Sequence, residues 1–352
     1  MTKQEAAIKY ITENYLDYRR LRHDIVSDKL QIRMENSLED ASLQNAPEGL
    51  RLQFRGSEYW REMTKHDINS IVCHCAQEYD ANITSREVMT ALQSDLIPDV
   101  HPLREYVLSC GEWTEEQPDW IDWVAQQVTV KPLGDEAKGD KARGEGLWRG
   151  CFKKWFVAMV ASWMKDEVVN HQVLVLIGKQ GIFKTTWLEH LIPPHLRAYA
   201  CKLANSNDLN KDERLRIAEF GLISLDEIDS MNNRELNQLK SVITATDVNE
   251  RAAYAYTKER RVRLASFCAS GNRRDFLTDI TGNRRWLPFE VESIQNPFYT
   301  LLPYERMYAQ AWALAQDPLF SYWFDLDEIE VLEEHNQHFR DESNEEQLLP
   351  IL

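Results

Sequence analysis

The chain has 352 residues, of which 43% are hydrophobic and 28% charged, which is enough for a sizeable core in one or two domains. Its formal net charge of −16 excludes a protein that coats duplex DNA with its whole surface. Six scattered cysteines without a C-x-x-C pair exclude a disulfide-stapled secreted scaffold and favour the reducing cytoplasm.

Apolar residues are distributed as in a protein without a membrane segment. The longest apolar run, Trp155–Met164, is too short to cross a bilayer. The N-terminus lacks the apolar core of a signal peptide. We therefore expect a soluble, cytoplasmic protein with no membrane partner.

Residues 1–130 are predicted to form a smaller α+β or helical region. Leu30–Arg33 and Leu50–Phe54 alternate like short strands, and Thr84–Glu87 has the pattern of a capping box that opens a helix. Cys73–Cys75 has the wrong spacing for a zinc knuckle, so we interpret its cysteines as core residues of a helix.

Residues 131–146 are predicted to be a flexible loop, because glycines and mixed charges leave almost nothing to bury. An aromatic-rich helix over 148–165 follows and should pack into the next domain. Residues 296–352 are predicted to be a helical, acidic C-terminal segment, with a helix at 303–316 and a tail that is either a solvated helix or partly disordered.

The pattern between residues 147 and 295 is typical of a domain with a mostly parallel central sheet. Val173–Ile177, Leu222–Leu225 and Leu264–Cys268 are short apolar runs, as expected of buried parallel strands. Helical stretches separate the first two. We therefore predict an α/β fold, of the P-loop NTPase type because a Gly-rich loop with a lysine follows the first strand.

The first of these strands runs directly into a Walker A loop, with a helix after it. Gly178 and Gly181 allow backbone N–H groups to surround phosphate oxygens. Lys184 is predicted to reach the β- and γ-phosphates of ATP, and Thr185 to bind Mg²⁺. Phe183 stands where the Walker A consensus has its last glycine. The alternative interpretation of the whole loop is a turn that contains glycine and lysine by chance. The predicted nucleotide-binding residues are Gly178, Lys179, Gln180, Gly181, Ile182, Phe183, Lys184, Thr185 and Thr186.

The second strand ends in Asp226 and Glu227, as in a Walker B motif. Asp226 is predicted to hold Mg²⁺ and Glu227 to orient and deprotonate the attacking water. An apolar run followed by two acids is often only a strand end. The pairing with the Walker A loop is what makes it informative.

Asn272 follows the third strand and is a candidate sensor of the γ-phosphate. The alternative is that it caps a turn, which asparagine commonly does.

Residues 251–285 contain nine basic and three acidic side chains, a local charge of +6. Ala252–Thr257 and Arg261–Cys268 could pair as a β-hairpin with Thr257–Arg260 at its turn. A basic tip of this kind suits contact with a single-stranded DNA backbone, through Lys258, Arg260 and Arg261. A solvated charged face is the alternative.

These motifs resemble the virulence-associated E family, P-loop ATPases of phages, plasmids and other mobile elements that look related to AAA+ and superfamily 3 helicases. The resemblance is carried by Gly178–Thr186, Leu225–Asp229, Ala269–Arg273 and Thr281–Trp286, in this order and spacing.

The resemblance implies an ATP- and Mg²⁺-dependent DNA helicase or translocase that serves replication of a mobile element. It makes Asn272 the sensor, Arg284 or Arg285 the arginine finger that reaches a neighbouring subunit's ATP, and the Lys258 hairpin the DNA contact. It also implies a hexameric ring, a single-stranded or forked DNA substrate, and a primase or other replication protein as a partner.

Two other functions stay open on the sequence alone. One is an ATP-driven switch that remodels a protein partner in excision, packaging or defence. The other is a nucleotide-binding scaffold that does not turn over.

Overall fold

The structure is a computed structural model, and it divides into two compact units, Met1–Glu105 and Tyr106–Leu352. It describes residues 1–34, 59–79, 82–133, 141–203, 217–250, 259–277 and 283–340.

The first unit is an α+β region, as predicted. Its sheet has the order β3-β2-β1-β4, with β1 antiparallel to β2 and parallel to β4. Its elements, ending with a helix that spans the division between the units, are α1 Lys3–Ile11, β1 Leu21–Asp24, β2 Lys29–Met34, β3 Tyr59–Glu62, α2 Lys65–Tyr79, α3 Ser85–Leu92, β4 Asp99–Val100 and α4 Pro102–Ser109.

Local sequence accounts for several of these elements and fails at one cysteine. The Thr84 hydroxyl accepts from the Arg86 N–H while the Glu87 carboxylate accepts from the Thr84 N–H, so the predicted capping box forms. Cys75 is buried in α2, but Cys73 is exposed, which corrects the prediction that both lie in the core. Residues two apart point to different sides of a helix, so one apolar face cannot cover both. The predicted strand Leu50–Phe54 lies outside the described residues.

The second unit is built on a six-stranded sheet of order β5-β12-β6-β11-β8-β7. Its elements are α5 Trp120–Ala125, β5 Val128–Val130, α6 Lys141–Met164, β6 Val173–Ile177, α7 Lys184–His190, β7 Ala200–Leu203, β8 Leu222–Leu225, α8 Asn233–Thr244, β9 Asp247–Glu250, β10 Glu259–Val262, β11 Ser266–Gly271, β12 Trp286–Ile294, α9 Tyr304–Gln316 and α10 Leu326–Gln337.

The sheet is mostly parallel, which confirms the predicted α/β fold. Each pair from β12 to β7 is parallel, and the edge strand β5 pairs antiparallel with β12. Strand β11 lies between β6 and β8, so the ends of these three strands meet at one edge. That strand begins at Ser266, two residues later than predicted.

The division between the units lies before residue 130, where the sequence placed the end of the N-terminal region. The reason is that α5 and β5 are tied to the second unit: Val130 is paired with Val291 of β12, and the Ile121 N–H donates to the side chain of Gln310 in α9. Helix α6 begins at Lys141, so 141–146 are helical rather than loop.

The aromatic residues of α6 pack against the sheet, as predicted for 148–165. The indole N–H of Trp155 donates to the Phe267 carbonyl at 3.1 Å, and that of Trp163 to the Gly221 carbonyl at 3.1 Å. Both tryptophans are fully buried. Each indole therefore contributes a large apolar area and also satisfies a backbone carbonyl.

The acidic C-terminal segment contributes α10, which is docked rather than freely solvated. Leu332 and Asn336 are buried. Asn336 donates to the carbonyls of Asn283 (2.9 Å) and Trp286 (3.1 Å), one on each side of the two predicted finger arginines. Residues 341–352 lie outside the described part.

A two-stranded hairpin is present, but its register differs from the prediction. Strand β9 (Asp247–Glu250) pairs with β10 (Glu259–Val262), so Glu259 and Arg260 lie in a strand and not at the turn. Residues 266–268 belong to the central strand β11, whose apolar side chains are buried between two parallel neighbours. Burial in the sheet core outweighs hairpin pairing for this run.

Arg263 joins the hairpin to the helix before it. It directly follows β10 and is fully buried. Its guanidinium donates to carbonyls at the end of α8, those of Ile243 and Ala245, and to the Asn170 carbonyl at 2.9 Å. Burial lowers the pKa of Arg263 to about 9. This arginine is therefore a cap of α8 and not part of a DNA-facing surface.

Within the described residues, no helix has the length and apolarity needed to cross a membrane.

Candidate functional site

The loop after β6 has the backbone geometry that its glycines allow. Gly178 lies so close to β12 that a Cβ there would stand 2.9 Å from the Val291 carbonyl oxygen, and Gly181 has φ +81°. Both positions therefore need glycine. The loop leads into α7, whose first residue is Lys184.

Phe183 adopts the conformation that a glycine would supply at this position. Its φ of 67° and ψ of 17° are left-handed, which costs an ordinary residue about 1–2 kcal/mol. Its ring meets that of Phe298 edge to face, with centroids 6.4 Å apart. The substitution of the consensus glycine thus leaves the loop's backbone angle unchanged.

Lys184 is held over its own loop. Its Nζ donates to the carbonyls of Gly178 and Lys179, both at 2.7 Å, and lies 3.4 Å from Oδ1 of Asn272. Burial lowers the pKa of Lys184, and the charges of Asp229 and Asp226 oppose that shift. The ammonium is therefore a largely buried cation aimed into the loop.

The carboxylate of Asp226 is bonded to side chains from three different elements. Its Oδ1 accepts from Thr185 Oγ1 at 3.2 Å and from Ser270 Oγ at 2.7 Å, and its Oδ2 lies 2.7 Å from Lys202 Nζ. Burial opposes ionisation, but the hydrogen bonds from Lys202 and Ser270 outweigh it and lower the pKa of Asp226. The carboxylate is therefore held ionised, as a cation ligand must be.

Glu227 directly follows and is exposed. Its backbone is also left-handed, with φ 52° and ψ 46°, because the chain turns sharply from β8 into a short 3₁₀ helix, Ile228–Ser230. A non-glycine residue in this conformation stores strain of about 1–3 kcal/mol, and such strain is concentrated at functional sites.

Asp229 fixes the position of Asn272. Its Oδ1 accepts the Asn272 N–H at 3.1 Å and its Oδ2 accepts the Arg273 N–H at 3.2 Å. The Cβ of a residue other than glycine at position 271 would stand 2.9 Å from Asp229 Oδ1. The end of β11 is thus clamped against the segment that follows β8.

These groups surround one cleft of about 310 Å³ at the carboxyl ends of β6, β11 and β8. Ligands of parallel sheets bind at this edge. The cleft is lined by Gln180, Gly181, Phe183, Lys184, Thr185, Thr186, Asp226, Glu227, Ser270, Gly271 and Asn272.

Sequence reasoning missed three residues of the site. Ser270 and Asp229 lie inside motifs that the sequence analysis recognised. For Ser270, the available signal was a polar residue near the end of a buried strand. Lys202 lies on the edge strand β7, far from any motif. Only the pairing of β7 with β8 brings it to Asp226.

The donor set suits a hard divalent cation. Thr185 in the first turn of α7 and Asp226 at the end of β8 could supply oxygen ligands, and Mg²⁺ commonly uses one or two protein ligands together with water and phosphate oxygens. Among the residues that the structure describes, no group of three or more His, Cys, Asp or Glu side chains could hold a metal by itself.

Arg284 and Arg285 are not brought to this cleft. They lie on a 3₁₀ turn, Asn283–Arg285, immediately before β12, and Trp286 pairs with Val173 at the first residue of β6. The cleft loop follows the last residue of β6, so the two edges are about 16 Å apart at ~3.3 Å per residue. The arginines therefore lie at one edge of the sheet, and the cleft of the same chain lies at the opposite edge.

The three predicted DNA-binding residues have different outcomes. Lys258 lies outside the described residues. The backbone of Arg260 belongs to β10. Arg261 is half-buried and its guanidinium lies 3.5 Å from Glu219 Oε1, so an acid of the same chain already neutralises part of its charge.

A family model described as the virulence-associated protein E-like domain matches residues 141–346, more than half of the chain. The chain belongs to this family. Its VapE-like domain begins at the first residue of α6 and includes the cleft, the arginine turn and α10. No curated protein sequence matches the chain.

Among solved structures, the chain is similar to apo structures of the NrS-1 C-terminal region. One has a TM-score of 0.48 and 12% identity, covering 94% of this chain and 75% of that chain. An A-form structure of the same region has a TM-score of 0.43 and 12% identity, covering 97% and 73%. These likenesses are too distant to indicate an activity.

Proposed function

We propose that the VapE-like domain is a Mg²⁺-dependent ATPase of the P-loop type that drives movement along DNA. The observation that carries the proposal is the convergence of Lys184, Thr185, Asp226, Glu227 and Asn272 on one cleft at the carboxyl edge of a parallel sheet. Two sequence motifs 42 residues apart meet there only because β11 brings the ends of β6 and β8 to one place.

The phosphates of ATP fit the loop between β6 and α7. Lys184 would exchange its bonds to two loop carbonyls for bonds to β- and γ-phosphate oxygens, and the N-terminus of α7 adds its partial positive charge. When bound, Mg²⁺ neutralises phosphate charge, and Thr185 and Asp226 are the residues that would hold it.

Hydrolysis needs a base and a sensor beside the γ-phosphate. Glu227 is exposed at the cleft, where its carboxylate can accept a proton from the attacking water. Asn272, held by Asp229, already lies within 3.4 Å of the Lys184 ammonium. It can therefore respond to the same phosphate that Lys184 binds.

Arg284 and Arg285 are proposed to act on a neighbouring subunit's ATP in a ring, which we propose to be a hexamer. Their place at the opposite edge of the sheet supports a role in trans, since about 16 Å separates them from their own cleft. A guanidinium supplied in this way stabilises charge on the transferring phosphoryl group.

Single-stranded or forked DNA is the proposed track, and Lys258 and Arg260 of the hairpin are the proposed contacts. Family membership supports a role in replication of a mobile element, alongside a primase or another replication protein. The alternative is an ATP-driven protein-remodelling switch, which the net charge of −16 and the engagement of Arg261 by Glu219 favour.

One experiment tests the proposal and separates the two functions. ATPase activity is measured with and without single-stranded DNA, beside the oligomeric mass of the protein. DNA-stimulated turnover in a ring supports the motor. Turnover that DNA does not change supports the remodelling switch, and no Mg²⁺-dependent turnover in either condition contradicts both.

A further inference from the structure

An aromatic surface lies beside the cleft, along one face of α7. Phe183, Thr186 and His190 share this face because they are three and four residues apart. The ring of Phe298 contacts the aromatic residue at each end of this face. Its centroid lies 6.4 Å from that of Phe183 and 5.5 Å from that of His190. Thr186, which lines the cleft, lies between the two contacts.

The loop that carries Phe298 is fixed at both of its ends. It follows β12, which leaves the sheet on the same edge as the phosphate loop. The Gln295 N–H donates to the Gln127 carbonyl at 2.9 Å, and the Tyr304 hydroxyl donates to the His190 carbonyl at 2.6 Å. The loop is therefore anchored on both sides of Phe298, yet 54% of the surface of Phe298 is exposed.

The third member of this surface is an uncharged ring. His190 Nδ1 lies 2.7 Å from the Thr186 carbonyl, so this nitrogen carries the proton. Burial lowers the pKa of His190, which keeps the imidazole neutral at neutral pH. The imidazole of His190 is thus an uncharged aromatic member of the surface next to Thr186.

If the β- and γ-phosphates of a nucleotide lie at Lys184 and Thr185, the rest of the nucleotide can extend past Thr186, which lines the cleft. The exposed ring of Phe298 lies along this face of α7, in contact with Phe183 and His190. Stacking on a flat ring replaces the water on both partners and is worth about 1–3 kcal/mol per base.

We propose that Phe298 is the stacking platform of a nucleobase subsite, which takes the base of the nucleoside triphosphate bound at the phosphate loop. This inference rests on the proposed nucleotide-binding function and assigns a base-binding residue outside the recognised motifs. Phe183 and His190 meet the ring of this platform edge to face.

The test compares a ligand that has a base with one that lacks it. ADP and inorganic pyrophosphate, each with Mg²⁺, are titrated by calorimetry into the wild-type chain and the variants Phe298→Ala and Phe298→Trp. Phe298→Ala is expected to weaken ADP binding by about 5- to 100-fold and to change pyrophosphate binding by less than about 2-fold. Phe298→Trp keeps a stacking surface and should bind ADP like the wild type.

Tyr299→Ala is the matched control, because Tyr299 is the next residue and is 84% exposed. It should bind both ligands normally. Equal losses for ADP and pyrophosphate in Phe298→Ala, no loss for ADP, or an ADP loss in Tyr299→Ala instead would each overturn the inference. A loss of ADP binding in Phe298→Trp as large as in the alanine variant would do the same.

Failure of the underlying function has a different signature. Lys184→Ala should weaken both ligands if the loop binds phosphate. If it leaves both affinities unchanged, the proposed nucleotide site itself is wrong, whatever Phe298 does. Thermal unfolding of each variant distinguishes loss of a ligand contact from loss of the fold.

Discussion

The two edges of the central sheet are built differently. At the carboxyl edge, Lys184 and Asp226 each make several side-chain bonds within the chain. At the amino edge, Asn336 donates to the carbonyls of Asn283 and Trp286, the residues on either side of Arg284 and Arg285. No hydrogen bond or ion pair joins the side chains of these two arginines to the described residues. This difference is consistent with the proposal that the carboxyl-edge site is assembled within the chain and that the two arginines act on a neighbouring subunit.

The largest effect on the carboxyl edge is expected from Lys184→Ala. It removes the cation aimed at the β- and γ-phosphates, where positioning and electrostatics carry nearly all of the catalysis. We expect turnover to be abolished and ATP binding weakened, as measured by steady-state ATPase and nucleotide titration. Wild-type turnover would show that the Gly178–Thr186 loop does not bind the phosphates.

Glu227→Gln tests the carboxyl edge more finely. The amide keeps the shape of the side chain but cannot accept a proton, so ATP should bind while hydrolysis falls by up to about 10⁴-fold. Single-turnover assays beside binding measurements check this. Normal hydrolysis in the variant would assign the base to another group.

The amino edge is tested by the double variant Arg284→Ala, Arg285→Ala. Its ATPase should fall by about 10³-fold, because the guanidinium that stabilises the phosphoryl charge is missing. Mixed with the Glu227→Gln protein, it should recover part of the activity, since some interfaces pair an intact Glu227 with intact arginines. A mixture that exchanges subunits yet stays inactive, or an active wild-type monomer, contradicts a role in trans.

The hairpin is a third surface and should be separable from both edges. Lys258→Ala with Arg260→Ala should weaken DNA affinity and flatten its dependence on salt, because fewer counterions are released. Basal ATPase should survive. Arg261→Ala is an informative comparison, since Glu219 already engages that guanidinium. Unchanged DNA binding in the double variant would show that other residues contact the DNA.

The smallest expected effect isolates the strain at position 183. Phe183→Gly stabilises the folded state by removing the strain of the left-handed backbone. It also destabilises that state, because the contact with Phe298 is lost and the unfolded chain gains conformational entropy. These effects oppose each other, so the free energy of unfolding should change by less than about 1 kcal/mol. Phe183→Ala loses the same contact and keeps the strain. Denaturant unfolding should therefore find the alanine variant less stable than the glycine variant, and the opposite order would contradict the assignment of strain.

Local patterns predicted the features that depend on neighbouring residues. The strand–loop–helix around Lys184, the strand before Asp226 and the aromatic helix α6 each follow from a short run of sequence. The mostly parallel sheet and the family follow from their order and are confirmed.

Features that depend on strand order could not be predicted in the same way. Lys202 reaches Asp226 only because β7 is the neighbour of β8, and nothing within β7 signals that pairing. The hairpin was misplaced because a basic, β-prone run fits either a hairpin or a central strand. Arg263 was counted among the basic residues of the segment 251–285, although the fold buries it.

That burial has a mechanical consequence. The short helix after Glu227 leads into α8, and the guanidinium of Arg263 binds the last carbonyls of α8 from the first residue after the hairpin. A buried cation is costly to separate from the carbonyls that it binds. The root of the hairpin and the end of α8 are therefore tied together at residue 263. Under the proposed function, a movement of α8 that followed hydrolysis at Glu227 would carry the root of the hairpin with it.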